Sequence, residues 1–416
     1  MQNLSSLNVI DCNNLKYVSS FATAKSCLIK LKELKVSTCS VLEEVLAITD
    51  LQEEEDGSLE KILLPQLKSL DLDDLPNLKR FCKRPCELET LVTSIELTGE
   101  GSEHEEAECG TEEPLFSEMV ALPGLEDLYL NKLAVKKLWA DQIPATSYMQ
   151  NLSRLQVNNC YNLKYVSSFA TAKSCLIKLK ELKVSTCSVL EEVIVITDLQ
   201  GEEDGSLEMI SLPQLKSLNL DDLPNLKKFC KRPYELETLV MSTELTDEGL
   251  EHEEVEFGAE EPLFSEMVAF PSLEDLYLNK LVVKKLWADQ IPATSYMQNL
   301  SSLDVMDCNN LKSMSSFAAA KSFLIKLKKL QVFSCSVLEE VLVITDVLGE
   351  DDGSLEKISL PRLKSLNLDD LPNLKRFCKR PFEFETLATS TELIGEGSEH
   401  EEVEFGIEES LFSEMV

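Results

Sequence analysis

"LKELKVSTCSVLEEV" occupies Leu31 to Val45 and recurs letter for letter from Leu179 to Val193. A third copy, "LKKLQVFSCSVLEEV", runs from Leu327 to Val341 with four letters changed. Glu33 and Glu181 become Lys329, Lys35 and Lys183 become Gln331, Ser37 and Ser185 become Phe333, and Thr38 and Thr186 become Ser334. Every apolar letter and the cysteine are kept. Within "LKELKV" the second leucine and the valine alternate with polar letters, the period of a short strand with one buried face.

The copies belong to a longer duplication. "MQNLS" starts at Met1, Met149 and Met297, and the proline of "LPQLKSL" or "LPRLKSL" falls at Pro65, Pro213 and Pro361, so both anchors step by 148 residues. Inside a block the motif L-x-x-L-x-[VL]-x-x-[CL] starts at Leu4, Leu31, Leu67 and Leu125, then at Leu152, Leu179, Leu215 and Leu273, then at Leu300, Leu327 and Leu363. Successive starts lie 27, 36, 58 and 27 residues apart. The shortest step is a leucine-rich repeat length, and the longer ones carry insertions. One such unit cannot bury its apolar edge alone, so units stack, each strand pairing with the next at about 4.8 Å. The expected fold is an α/β leucine-rich repeat solenoid. It is a single array of about 11 units in blocks 1–148, 149–296 and 297–416, the last incomplete. A parallel sheet should line the concave side over an arc of roughly 50 Å, with a mostly irregular or short-helical convex side.

In that geometry the third, fifth, seventh and eighth letters of each unit face solvent, and all four substitutions in the third copy fall there. The first unit of each block varies at the same letters, Ser6, Asn8, Ile10 and Asp11 answering to Arg154, Gln156, Asn158 and Asn159, then to Ser302, Asp304, Met306 and Asp307. Drift of exposed positions and retuning of a recognition surface both predict this pattern; an aromatic ring at Phe333 favours the second. The other units keep their display: Asp73 and Asp74, Asp221 and Asp222, Asp369 and Asp370, and Tyr129 with Lys132 against Tyr277 with Lys280. Tyrosine, apolar in its ring and polar at its tip, is a usual contact anchor. The candidate partner-binding residues are therefore Glu33, Lys35, Asp73, Asp74, Tyr129, Lys132, Arg154, Asn158, Glu181, Lys183, Asp221, Asp222, Tyr277, Lys280, Met306, Lys329, Gln331, Phe333, Asp369 and Asp370.

Composition narrows the partners. The formal charge of −34 on 416 residues repels nucleic acid phosphate and anionic membrane, so neither is an expected partner. No apolar run is long enough to span a bilayer and no secretory signal opens the chain, which predicts a cytoplasmic location. The 13 cysteines are expected as reduced filler, because Cys27 and Cys175 answer to Phe323, Cys86 to Tyr234 and Phe382, and Cys109 to Phe257 and Phe405. Acidic insertions such as "GEGSEHEEAECGTEEPLFSEM" are too rich in glutamate and glycine to pack, and mobile loops are expected at about 50–62, 86–120, 198–210, 234–268, 346–358 and 382–416. His104, His252 and His400 are the only histidines, each within "EHEE", and no metal or cofactor is expected there. No nucleophile, base and orienting partner form a set, so no enzymatic activity is expected. The basic "LKRFCKRP" stretch, with Lys79, Arg80, Lys83 and Arg84, should be neutralised within the molecule by acidic neighbours. The sequons at Asn3, Asn151 and Asn299 each precede a core leucine and read as accidental.

"LPNLKRFC", "LEDLYLNKLAVKKLWADQIP", "MQNLSSLNVIDCNNLKYVSS" and "LKELKVSTCSVLEEV" together resemble the C-terminal leucine-rich repeats of plant intracellular disease resistance proteins of the coiled-coil, nucleotide-binding class. The resemblance covers the regular units and leaves the acidic insertions outside. It implies an array that senses a pathogen effector, or a host protein altered by one, and restrains an ATPase switch. No G-x-x-x-x-G-K-[ST] loop occurs, and the chain opens directly on a repeat, so a fragment or truncated paralogue is expected. A substrate-selecting arm of a ubiquitin ligase, or a generic interaction scaffold, is the alternative.

Overall fold

The structure, a computed structural model, describes residues 3–48, 61–82, 113–117, 119–140, 149–196, 209–230, 262–265, 268–287, 297–316, 324–343, 358–378 and 382–383. Each of the eleven motif starts contributes one strand to a single parallel sheet. In chain order the strands are Ser6–Ile10, Glu33–Ser37, Ser69–Leu75, Asp127–Leu133, Arg154–Asn158, Glu181–Ser185, Ser217–Leu223, Asp275–Leu281, Ser302–Met306, Lys329–Phe333 and Ser365–Asp369. Sequence order equals spatial order, so every connection is a short climb to the next rung, as a solenoid requires. The register never slips: Leu34 pairs with Leu7 and Leu70, and Val36 with Val9 and Leu72. Period-two alternation explains this, since a slip of one residue would put the whole leucine row into water. The leucines of both rows merge into one continuous core running the length of the array.

The strands end in a common way. The eighth letter of all eleven units has positive φ, between 49° and 57° (Asp11, Thr38, Asp74, Lys132, Asn159, Thr186, Asp222, Lys280, Asp307, Ser334 and Asp370). That left-handed residue turns the chain off the strand, and Asp or Asn is the least strained choice there apart from glycine. In the units starting at Leu67, Leu125, Leu215 and Leu273 the ninth letter is leucine, and pairing resumes past the turn, Leu75 with Leu133 and Leu223 with Leu281. In the units starting at Leu31, Leu152, Leu179, Leu300 and Leu327 the ninth letter is a cysteine buried under backbone, whereas Cys12 of the end unit is exposed: Cys39 Sγ lies 3.3 Å from Ser37 O, and Cys187 Sγ 3.4 Å from Ser185 O. All described cysteines are free thiols. Burial pushes Cys82, Cys230 and Cys308 up to about 12, which removes their nucleophilic form at neutral pH.

Asparagines stitch the rungs. Asn77, Asn225 and Asn373, the Asn of each "LPNLK", donate to the carbonyls of Ser40, Ser188 and Ser336, all at 2.6 Å. The sequon residues Asn151 and Asn299 donate to Pro123 O and Pro271 O and accept from Lys178 and Lys326, so they serve the ladder. Trp139, buried and stacked on Phe116 with ring centroids 5.3 Å apart, donates its Nε1–H to Val166 O of the next block at 2.8 Å. That contact ties one 148-residue block to its successor.

One expectation needs correction, and two others gain detail. Among the described residues the side opposite the large sheet combines irregular chain and short helices, as expected, with short strands in addition. It carries short parallel sheets, such as Tyr17–Ser20, Glu44–Ala47 and Arg80–Cys82 in order, because equivalent segments of adjacent rungs meet edge to edge. Among the described residues helix is confined to Phe21–Cys27 and Phe169–Cys175, N-capped by Ser20 and Ser168, and to a turn at Leu324–Lys326. The outer parts of the acidic insertions are core: Leu115, Phe116, Met119 and Val120 are buried, as are Leu263, Phe264 and Val268, and Ile62–Leu63 pairs with Val120–Ala121. The remainder of those insertions, with all three histidines, lies outside the described residues. The basic stripe is neutralised chiefly by the "LEEV" glutamates of the preceding rung. Lys79 meets Glu43 at 3.0 Å, Lys227 meets Glu191 and Lys375 meets Glu339, both at 2.8 Å, and Arg80 bonds Glu44 and also Glu113 of an insertion. Lys83 and Arg84 lie outside the described residues.

Candidate protein interface on the inner sheet

Because the eleven strands share one register, their outward letters form three rows across the sheet. The third-letter row runs Ser6, Glu33, Ser69, Asp127, Arg154, Glu181, Ser217, Asp275, Ser302, Lys329, Ser365. The fifth-letter row carries Lys35, Asp71, Tyr129, Gln156, Lys183, Asn219, Tyr277, Asp304 and Gln331, and the seventh-letter row runs from Ile10 to Asp369. Adjacent row members are about 4.8 Å apart, so side chains meet their lateral neighbours before anything else.

Of the candidate residues, Glu33, Lys132, Arg154, Glu181, Lys280, Asp369 and Asp370 are exposed. Lys35, Asp73, Asp74, Tyr129, Lys183, Asp221, Asp222, Tyr277, Met306, Lys329, Gln331 and Phe333 are half-buried. Asn158 is buried, contrary to expectation: Ser185 Oγ donates to its Oδ1, and the small polar residues of that row cover one another. The eighth-letter residues Asp74, Lys132, Asp222, Lys280 and Asp370 also need a second account, since the left-handed backbone they must adopt constrains them before any partner does.

Electrostatics sorts the rest. Lys35 bonds Asp71 at 2.8 Å, which holds its ammonium above the ordinary value. Arg154 grips Asp127 in a two-pronged pair at 2.6 and 2.7 Å, and Lys329 meets Asp304 at 3.2 Å. Three of the sheet's own cations are thus occupied. Asp71 and Asp304 were missed as partners by sequence reasoning; their signal was the fifth-letter position next to a basic rung. Asn131 and Asn279 donate to Asp73 and Asp221 at 2.6 and 2.7 Å. Tyr277 sits in a negative field: burial first, then Asp221, Asp304 and Asp307, raise its hydroxyl above the ordinary value. Among the described residues no group of three His, Cys, Asp or Glu side chains could hold a metal ion, and no helix is long and apolar enough to cross a membrane.

Comparison with known proteins agrees with the repeat geometry. The family described as plant disease resistance protein RPS2-like, leucine-rich repeats, matches residues 1–92, 124–241 and 272–388. No curated protein sequence matches significantly. Among solved structures, a crystal structure of a TLR13–ssRNA13 complex aligns at 15% identity over 88% of this chain. That alignment spans 62% of the TLR13 chain with a TM-score of 0.17, too low to support an argument.

Proposed function

Since this chain belongs to the RPS2-like leucine-rich repeat family of plant disease resistance proteins, we propose that it is a protein-recognition module of plant innate immunity, acting in the cytoplasm and without catalysis. Its ligand would be a pathogen effector or a host protein altered by one, bound across the inner sheet, with an ATPase switch as a further partner. One observation carries this reading. Eleven strands in one register present a continuous polar surface, and within those strands the three recent copies keep every core letter and differ only at outward letters. Burial constrains the leucine rows, so the outward letters are where affinity can change without loss of fold.

The test uses the full chain in a two-hybrid screen against effectors and host proteins, followed by direct binding with the selected partner. Replacing Lys329, Gln331, Phe333 and Ser334 by the first-copy letters Glu, Lys, Ser and Thr should abolish or redirect binding, with the fold intact by circular dichroism. Unchanged binding by that variant would remove the inner sheet from the interface.

A further inference from the structure

The seventh-letter row is self-satisfied through the middle of the sheet and fails to be so in the third block. In the second block Ser185 bonds Asn158, and beside them Asn159 donates to Asn131 at 2.8 Å. The equivalent rungs of the third block carry Met306 and Phe333, paired in register and half-buried, with no polar group to close the ladder. Two large apolar side chains side by side in a polar row leave apolar area in water that a partner could cover.

Around them the charge is lopsided. From Asp221 to Asp370 the seventh and eighth letters of five successive rungs hold Asp221, Asp222, Asp307, Asp369 and Asp370 against a single cation, Lys280. No described cation pairs with Asp222, Asp307 or Asp370. Their three rungs are alternate strands of the sheet, which spaces the carboxylates about 10 Å apart. At the same margin a cleft of about 400 Å³ opens between Lys280, Val282, Asp307 and Asn310. One row further in, the Tyr277 hydroxyl is raised first by burial and then by Asp221, Asp304 and Asp307.

We propose that this margin, running from the end of the second block through the third, binds a basic, apolar-spaced protein segment, its cations on Asp222, Asp307 and Asp370 and an aliphatic side chain over Met306 and Phe333. A polyproline II segment advances about 9 Å per three residues, so a cation at every third position matches the carboxylate spacing. This proposal rests on the protein-recognition reading and names the chemistry of the partner.

The probe is a fluorescein-labelled peptide of Arg-Pro-Leu repeated four times, titrated into the full chain at 0.15 M salt, with Glu-Pro-Leu repeats as its opposite. The arginine peptide should bind and the glutamate peptide should not. Asp222→Asn, Asp307→Asn and Asp370→Asn combined should weaken binding about 10-fold, from three solvent-accessible charge pairs at roughly 0.5 kcal/mol each. Asparagine already occupies the left-handed position at Asn159, so that variant keeps the turn. Met306→Asn with Phe333→Ser should weaken binding several-fold. Glu103→Gln, Glu105→Gln and Glu106→Gln, an equal change of net charge in the first block's sequence, should leave it within about 2-fold. Absence of arginine-peptide binding, or equal loss in both triple variants, overturns the proposal. If the four-letter swap still abolishes binding of a screened partner while the triple Asn variant binds that partner normally, the basic-segment proposal falls and the inner-sheet reading stands. If neither variant affects that partner, both fall.

Discussion

Thr186 offers the sharpest test of how the strands end. It holds φ of 53°, a conformation that β-branched residues rarely adopt. Strain of this kind costs about 1–3 kcal/mol per residue. Asparagine tolerates the same backbone, as Asn159 does at the eighth letter of the preceding rung with φ also 53°. The Thr186 hydroxyl has no hydrogen bond among the described residues, so Thr186→Asn gives up no contact and should stabilise by about 1 kcal/mol. Thr38 is the informative contrast. Its hydroxyl bonds Asp11 at 2.6 Å, an exposed bond contributing about 1 kcal/mol, so Thr38→Asn should be close to neutral. The reverse change, Asn159→Thr, adds strain and loses the bond to Asn131, and should cost about 2 kcal/mol. Urea unfolding followed by far-UV circular dichroism measures all three, provided the m-value holds constant. If Thr186→Asn is neutral or harmful and Asn159→Thr is neutral, backbone conformation does not select the eighth letter, and display must.

Three further outcomes follow. Trp139→Phe should destabilise by about 2 kcal/mol, since it strands the Val166 carbonyl and leaves a void beside Phe116, with denaturation midpoints as the readout. The Asp275 carboxyl is held above its ordinary value of 3.8 by burial, then by Glu274 and Asp304, so its ionisation opposes folding. Asp275→Asn should therefore stabilise at pH 7, with the gain fading as pH falls below 3.8; a gain that grows on acidification would reverse the sign. Nine of the described cysteines are buried, so a thiol reagent at pH 8 should titrate at most four of the 13 in the native chain and all of them in guanidinium.

Much of the fold was legible because it rests on a local period. The spacing of Leu31, Leu34 and Val36 fixes a strand with one buried face, and tandem copies force stacking. The short sheets opposite were not legible, since "YVSS" or "RFC" alone is too brief to mark a strand and becomes one only beside the next rung's equivalent. The site was read less well. Counting outward letters assigns Asn158 to solvent, yet lateral neighbours at strand spacing bury small polar side chains in a crowded row. The eighth letter looked like free display because Thr and Lys occur there; its left-handed backbone is set by the turn, which no single unit announces. The acidic insertions hid Phe116 and Phe264, whose burial depends on Trp139 and Trp287 more than twenty residues further on.

The central claim is that one register aligns every unit, so that lateral distance depends on rung number and not on residue number. Paired cysteines at fifth-letter positions test it directly, with mild oxidation and mass mapping of the product. Asp71→Cys with Tyr129→Cys lies 58 residues apart in sequence but on adjacent rungs in register, and should form a disulfide readily. Lys35→Cys with Tyr129→Cys, two rungs apart, should not. Cross-linking of the second pair with failure of the first would contradict the continuous inner sheet, and with it the interface built upon it.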